Sequence, residues 1–238
     1  MQDNIKGEAV MIELLNIDCM EYLKDCPDKA FDLAVVDPPY GIGSGNVKRG
    51  GRKDGHSIAE SRDYGNKEWD NHKPNGNYFD ELFRVSKNQI IFGANHFISK
   101  IAVDSPCWIV WDKVTGENGY ADCELAWTSF KSAVRQFTFM WKGMFQENMA
   151  HKEYHIHPTQ KPVALYDWIL RNYAKPGQRI LDTHLGSGSS AIAAHYFKCE
   201  FVGCEIDTDY FNAAKERFDR ETFYDRRTRW IQYKTYFT

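Results

Sequence analysis

At 238 residues, with 42% hydrophobic and 26% charged residues, the chain has the balance of one large globular domain or one domain with insertions. No apolar run approaches the roughly 18 residues of a membrane span, and "MQDNIKGEAV" lacks the basic-then-apolar pattern of a secretory signal, which predicts a cytoplasmic protein. A net charge of −3 excludes a uniformly basic nucleic-acid binder but leaves room for a local patch of phosphate contacts.

In chain order, "MIELLNIDC" (11–19) reads as a buried strand and "MEYLKDC" (20–26) as a short helix. "FDLAVVD" (31–37) is a second strand, and it ends on an acid followed by "PPYGIG". Pro38 and Pro39 hold φ at about −65° and so fix the backbone behind Asp37, while Tyr40 sets an aromatic face beside it. Such a strand tip suits a flat ligand with hydrogens to donate. Residues 41–77 are polar and glycine-rich, a loop long enough to be functional or disordered. A helix end and a strand near 89–94 follow, and "PCWIVWDK" and "RQFTFMWK" carry the β-branched and aromatic residues of further strands. Residues 113–157 read as irregular around an aromatic strand. "PVALYDWILRNY" (162–173) is an amphipathic helix with Val163, Tyr166, Ile169, Leu170 and Tyr173 on one side. A strand "QRILDTH", a turn "LGSGSS", a helix "AIAAHYF", a strand "FVGCEI" and a helix "DYFNAAKERF" complete the pattern. Alternating strands and helices predict an α/β fold, a mostly parallel, doubly wound sheet with helices on its faces.

The glycine turn is a ligand site or a tight corner with none. Gly186, Gly188 and Ala191 fit the G-x-G-x-x-A dinucleotide pattern, and Glu205 after the next strand is placed to take a ribose, which keeps an NAD-type oxidoreductase in play. Asp182, just before the glycines, argues the other way: its charge would repel a pyrophosphate and attract a cation. S-adenosylmethionine carries an ammonium and a sulfonium and no phosphate. Asp37 and the Pro38 carbonyl, in turn, form an acceptor pair for an exocyclic amine, whose delocalised lone pair is freed when both N–H hydrogens are drawn toward fixed oxygens. Tyr40 would stack on the base, worth roughly 1–3 kcal/mol, once the base has left the duplex at a cost of a few kcal/mol.

"DPPYGIG", then "HPTQKP", then "ILDTHLGSGSSAIAAHYF" and "FVGCEIDTDYFNAA" resemble the amino-methylating DNA methyltransferases of the β order, in which the catalytic motif precedes the cofactor motif. The likeness covers residues 12–40 and 157–219 well and the middle weakly. It implies a Rossmann-like, S-adenosylmethionine-dependent methyltransferase fold over residues 1–238, with insertions at 41–77 and 113–157 for target recognition. Asp37, Pro38, Pro39 and Tyr40 become the catalytic residues. Asp182, Gly186 and Gly188 would line the methionine end of the cofactor, Glu205 its ribose, Asp18 its adenine, and Thr159 and Lys161 its carboxylate, with Cys19, Asp37, His184 and Ile206 also among the cofactor-binding residues. The chain departs from the family pattern D-P-F-x-G-S-G in carrying Thr183 and His184 in place of Pro and Phe. Asp rather than Ser before "PPY" favours N6 of adenine in duplex DNA over N4 of cytosine; RNA or protein methylation and an oxidoreductase are the remaining alternatives. A second subunit and a cognate restriction endonuclease are open partners.

Blander readings apply elsewhere. The six cysteines have no CxxC pair and read as reduced thiols in or near the core, Cys107 of "SPCW" among them. His151, His155 and His157 stand close in sequence without thiolates at ligand spacing, so no metal is expected. Lys48, Arg49, Arg52 and Lys53 form a basic loop that is either solvated or a DNA-contacting flap, with Lys113 a further candidate contact. The tail with Arg226, Arg227, Arg229 and Lys234 either grips DNA or packs on a second subunit.

Overall fold

A computed structural model describes residues 10–43, 70–101, 103–116, 121–142 and 145–223. The basic loop and the tail read from the sequence lie outside these residues. One sheet of eight strands organises the chain, in the order β1 (Ile12–Asn16), β10 (Glu200–Glu205), β9 (Arg179–Asp182), β2 (Phe31–Val36), β3 (Ser86–Phe92), β5 (Cys123–Thr128), β4 (Trp108–Asp112), β6 (Arg135–Thr138). The first five run parallel, β5 is antiparallel to both neighbours, and β4 pairs in parallel with β6. Strands β7 (Trp141–Lys142) and β8 (Phe145–Gln146) make a small separate hairpin. The described residues thus follow the α/β reading, with one correction. Residues 113–157 are not irregular around a single strand, because "CELAWT" forms β5 and slots between β3 and β4. Trp127 pairs with Ile91 on one side and Trp108 on the other, which makes β5 an interior strand.

Both faces of the central strands are buried, which is why β2 reads as a continuous apolar run. Leu33 and Val35 join Ile90, Phe92, Ile180 and Phe201 on the face covered by α4 (Val163–Tyr173) and α5 (Ser189–Phe197). Ala34 and Val36 join Ile91, Leu181 and Val202 on the other face, under α1 (Cys19–Asp25), α2 (Gly76–Val85) and α3 (Ile98–Ile101). Each large side chain buried this way contributes roughly 1.5–3 kcal/mol. α4 is buried more completely than a one-sided amphipathic helix, since Ala164, Leu165 and Asp167 are covered as well. The alanines of α5 allow its close approach to α4. α6 (Thr208–Phe223) closes the described chain.

Helix starts follow local chemistry. Asp18 caps α1 by accepting from the Met20 amide at 2.8 Å, and Asn75 caps α2 by accepting from the Tyr78 amide at 3.1 Å. β2 leads outward to β3 on one side, and β9 leads to β10 on the other. The order of strands therefore reverses between β2 and β9, and Asp37 and Asp182 stand at the carboxyl ends of this pair, where ligands bind in open α/β sheets.

Candidate active site at the switch point

A pocket of about 360 Å³ opens at the end of β2. Asp37, Pro38, Pro39 and Tyr40 form one wall, Gly93, Asn95 and His96 after β3 another, and Lys113, Cys123, Glu124 and Leu125 of the β4–β5 edge a third. Thr159 and Lys161 close it. The structure thus brings the two distant motifs "DPPY" and "TQKP" to one cavity, together with Lys113.

Inside the pocket the charges are wired to one another. Tyr40 donates its hydroxyl to Asp37 Oδ1 at 2.6 Å, and the Lys161 ammonium donates to Asp37 Oδ2. Lys161 also stands 3.2 Å from Glu124 Oε2, and Lys113 donates to Glu124 Oε1 at 2.9 Å. The Lys161–Glu124 contact lacks hydrogen-bond alignment, so Glu124 Oε2 is buried with no hydrogen-bond partner among the described residues. Burial pushes the Asp37 carboxyl up against the opposing pull of Lys161. Burial alone would lower the Lys161 pKa, but Asp37 and Glu124 raise it, and the two lysines hold Glu124 low despite its burial. The chain is an alternating series of two acids and two ammonium groups in a low-dielectric wall.

The Tyr40 ring is fixed from outside. His96 stacks on it with centroids 4.9 Å apart, and Phe97 meets its edge. Gly93 makes this possible: it adopts φ +63°, and a Cβ there would overlap the Tyr40 ring. Gly41, at φ +68°, turns the chain after Tyr40, and its amide donates to Asp70 Oδ1 at 2.9 Å.

Asp182, Gly186, Gly188, Glu205 and Asp18 form a second group beside this pocket, at the ends of β9, β10 and β1. Asp182 accepts from the His184 amide at 3.0 Å and from the Ser190 hydroxyl at 2.6 Å. Glu205 accepts from the Gly186 amide at 2.8 Å and the Asp207 amide at 2.9 Å. Gly186 and Gly188 have φ +52° and +75°, and Gly188 precedes α5, so the turn depends on glycine at both places. Burial pushes Asp182 up to about 7. Among the described residues none of Asp18, Asp182 and Glu205 sits in a salt bridge with a lysine or arginine. His184 accepts or donates at Nδ1 with Thr183 Oγ1, 2.9 Å away, and Thr183 meets Tyr78 Oη at 2.7 Å. Burial lowers His184 to about 4 and His157 to about 3, which keeps both rings neutral at pH 7. Ile206 is exposed at the end of β10, and Cys19, whose thiol burial pushes up to about 12, opens α1 next to Asp18.

"HPTQKP" bridges the two groups. The Thr159 amide and hydroxyl lie 3.3 and 3.1 Å from His157 Nδ1, and the His157 ring packs edge-on to Tyr210 and 3.8 Å from where a Gly186 Cβ would stand. The Lys161 carbonyl accepts from Ser189 Oγ at 2.7 Å, at the first residue of α5. Arg217 of α6 supports the turn: it donates to the Ser187 carbonyl and Ser189 Oγ at 2.9 Å and to Glu153 Oε2 at 2.6 Å. Glu153 accepts in turn from the Val163 amide that opens α4.

Other residues have structural partners. Cys107 is buried and accepts from Ser132 Oγ, as a core thiol does, whereas Cys123 is exposed and lines the pocket, against the expectation of a core position. His155 stacks on Trp141 and lies 3.1 Å from Gln146 Nε2, and no metal-ligand cluster occurs among the described residues. Sequence reading missed Gly93, His96, Glu153 and Arg217. For Gly93 the signal was present, a glycine directly after an apolar strand, but its cause is a ring from another motif.

A family model described as "DNA methylase" matches residues 108–216. The type II methyltransferase M.HpaI of Haemophilus parainfluenzae is 24% identical over 246 aligned positions, covering 87% of this chain and 74% of that protein. The type II methyltransferase M2.DpnII of Streptococcus pneumoniae is 22% identical over 241 positions, covering 87% of this chain and 90% of that one. Among solved structures, the M1.HpyAVI–SAM complex superposes with TM-score 0.56 at 21% identity over 88% of this chain and all of the other (100%). The PvuII DNA methyltransferase (cytosine-N4-specific) does so with TM-score 0.57 at 12% identity, over 93% and 91% of the two chains. With "DPPY" and "TQKP" meeting in one pocket beside the glycine turn, this chain is similar to the DNA methyltransferases that modify exocyclic amines, the N6-adenine/N4-cytosine family.

Proposed function

We propose that the protein transfers a methyl group from S-adenosylmethionine to N6 of an adenine turned out of duplex DNA. The observation that carries this reading is the placement of two carboxylates at the strand reversal, Asp37 in a pocket with room for a base and the buried Asp182 on a glycine turn with no lysine or arginine paired to it among the described residues. The turn fits the donor: Asp18, Asp182 and Glu205 suit a molecule with ammonium, sulfonium and ribose hydroxyls, and they oppose a pyrophosphate, which disfavours a dinucleotide. Bound there, S-adenosylmethionine supplies an electrophilic methyl group.

The chain's own residues do the rest. Asp37 and the Pro38 carbonyl accept the two hydrogens of the amine and draw the nitrogen toward tetrahedral geometry. Tyr40, braced by His96 and Gly93, offers a ring to the base. The amine that takes the methyl group would shed one proton, for which Asp37 is an acceptor in place because burial raises its pKa. No covalent enzyme intermediate is needed, only proximity and alignment. Lys113, on the pocket wall, is placed to contact the target strand.

A carboxylate-lined pocket would also accept the N4 amine of cytosine, and one solved neighbour of like fold is named as cytosine-N4-specific. One experiment separates the two. Unmethylated duplex DNA is incubated with tritiated donor and digested to nucleosides. Label should elute with N6-methyldeoxyadenosine; label in N4-methyldeoxycytidine would move the assignment to the second reading, and label in neither would refute both.

A further inference from the structure

Lys161 occupies an unusual position for an anchor. Its backbone is tied to the start of α5 through Ser189, on the donor side, while its ammonium crosses to the amine side and bridges Asp37 and Glu124. The side chain is 4% exposed, with the ammonium 4.9 Å from the centre of the Phe92 ring and 5.9 Å from that of Tyr40. Tyr40 holds the second oxygen of Asp37. Both oxygens of Asp37, the carboxylate that must receive one of the base's N–H groups, therefore already carry internal donors, and one of these donors is itself a nitrogen with hydrogens to give. The ammonium stands in for the target amine.

We propose that Lys161 plugs the amine site and that the α-carboxylate of the methyl donor withdraws it, so that capture of the base depends on donor already bound. Glu124 is the positioning residue of this plug: its carboxylate shares the ammonium with Asp37 and holds it on the amine side until another anion competes. A buried ammonium leaves two carboxylates only for a comparable anionic partner, and a donor lacking that anion gives no differential stabilisation of the open arrangement. The inference rests on the methyltransferase reading above.

Decarboxylated S-adenosylmethionine keeps the methylsulfonium and the amine but lacks the carboxylate, and it is the probe. Initial rates on unmethylated duplex DNA, measured over donor concentrations up to saturation for each donor, separate kcat from KM. The plug predicts a kcat lower by about tenfold or more with the decarboxylated donor, a coupling of the ordinary allosteric size. In the charge-balanced variant Lys161→Met/Glu124→Gln the two donors should give kcat values within about twofold of each other, the coupling having been removed. If the wild type shows the lost carboxylate in KM alone, Lys161 is a simple anchor and the proposal is overturned. A kcat difference that persists in a folded double variant also overturns it, and the wild-type comparison decides by itself if that variant fails to fold. Absence of transfer from S-adenosylmethionine itself would refute the underlying activity instead, and the plug with it.

Discussion

Two carboxylates end neighbouring strands at the centre of the sheet, and the chain treats them in opposite ways. Asp37 is partnered from within, with the Lys161 ammonium on one oxygen, the Tyr40 hydroxyl on the other and Glu124 sharing the lysine. Among the described residues Asp182 accepts only from a serine hydroxyl and a backbone amide, and burial raises its pKa from 3.8 to about 7. A carboxylate balanced from within is arranged to exchange one donor for another. One left without a cation is arranged to receive a charge from outside, and it costs stability until that charge arrives. Because the folded pKa of Asp182 is raised, stability is lost as pH climbs from the ordinary carboxylate value toward 7, and a bound cation restores it.

The largest expected effect lies on the balanced side. Asp37→Ala should lower kcat by on the order of 10²–10³-fold, the cost of removing one fixed hydrogen-bonding group from a transition state. Donor affinity by calorimetry should not fall, and retained turnover would remove Asp37 from the chemistry. Gly93→Ala sharpens the same side, because the added methyl meets the Tyr40 ring and displaces it. A shift of that kind should cost up to about 10² in kcat/KM, while circular dichroism stays native; unchanged rates would show that Tyr40 need not be held. On the unbalanced side, Asp182→Asn should weaken donor binding by about tenfold or more, as loss of a buried charge partner does. Equal affinity would break the contrast. The smallest effect is at Asp18, which caps α1 and, in the proposed function, also faces the donor. Asp18→Ala should cost about 1 kcal/mol in urea unfolding, and Asp18→Asn much less, since Asn also caps. If both variants lose equal stability, the cap is not what Asp18 contributes.

How much of this was legible from residues follows the same division. "DPPY", "TQKP" and the glycine turn are local signals, set by proline rigidity, by glycines at positive φ and by acids at strand ends, and the structure gathers all three at the switch point. The wiring between them was not legible. Glu124 reaches the pocket because β5 pairs with β4 in a register that sets it opposite Trp111, a choice made by tertiary packing rather than by the pattern of "CELAWT". Lys161 reads as a donor-side residue from its motif, and only the path of its side chain places the ammonium on Asp37. The brace by Arg217 and Glu153 joins α6, the glycine turn and α4 across long sequence separations. An arginine on a charged helix carries no mark of such a role.

The contrast between the two acids is tested most directly by donor affinity against pH. With the unliganded Asp182 near 7, binding a cation to the ionised carboxylate must expel a proton at lower pH. The dissociation constant of the wild type should therefore rise by about tenfold from pH 8 to pH 6, with proton release seen as a buffer-dependent heat, and Asp182→Asn should show a nearly flat profile. A wild-type affinity independent of pH across that interval, or the same slope in the variant, would contradict the account.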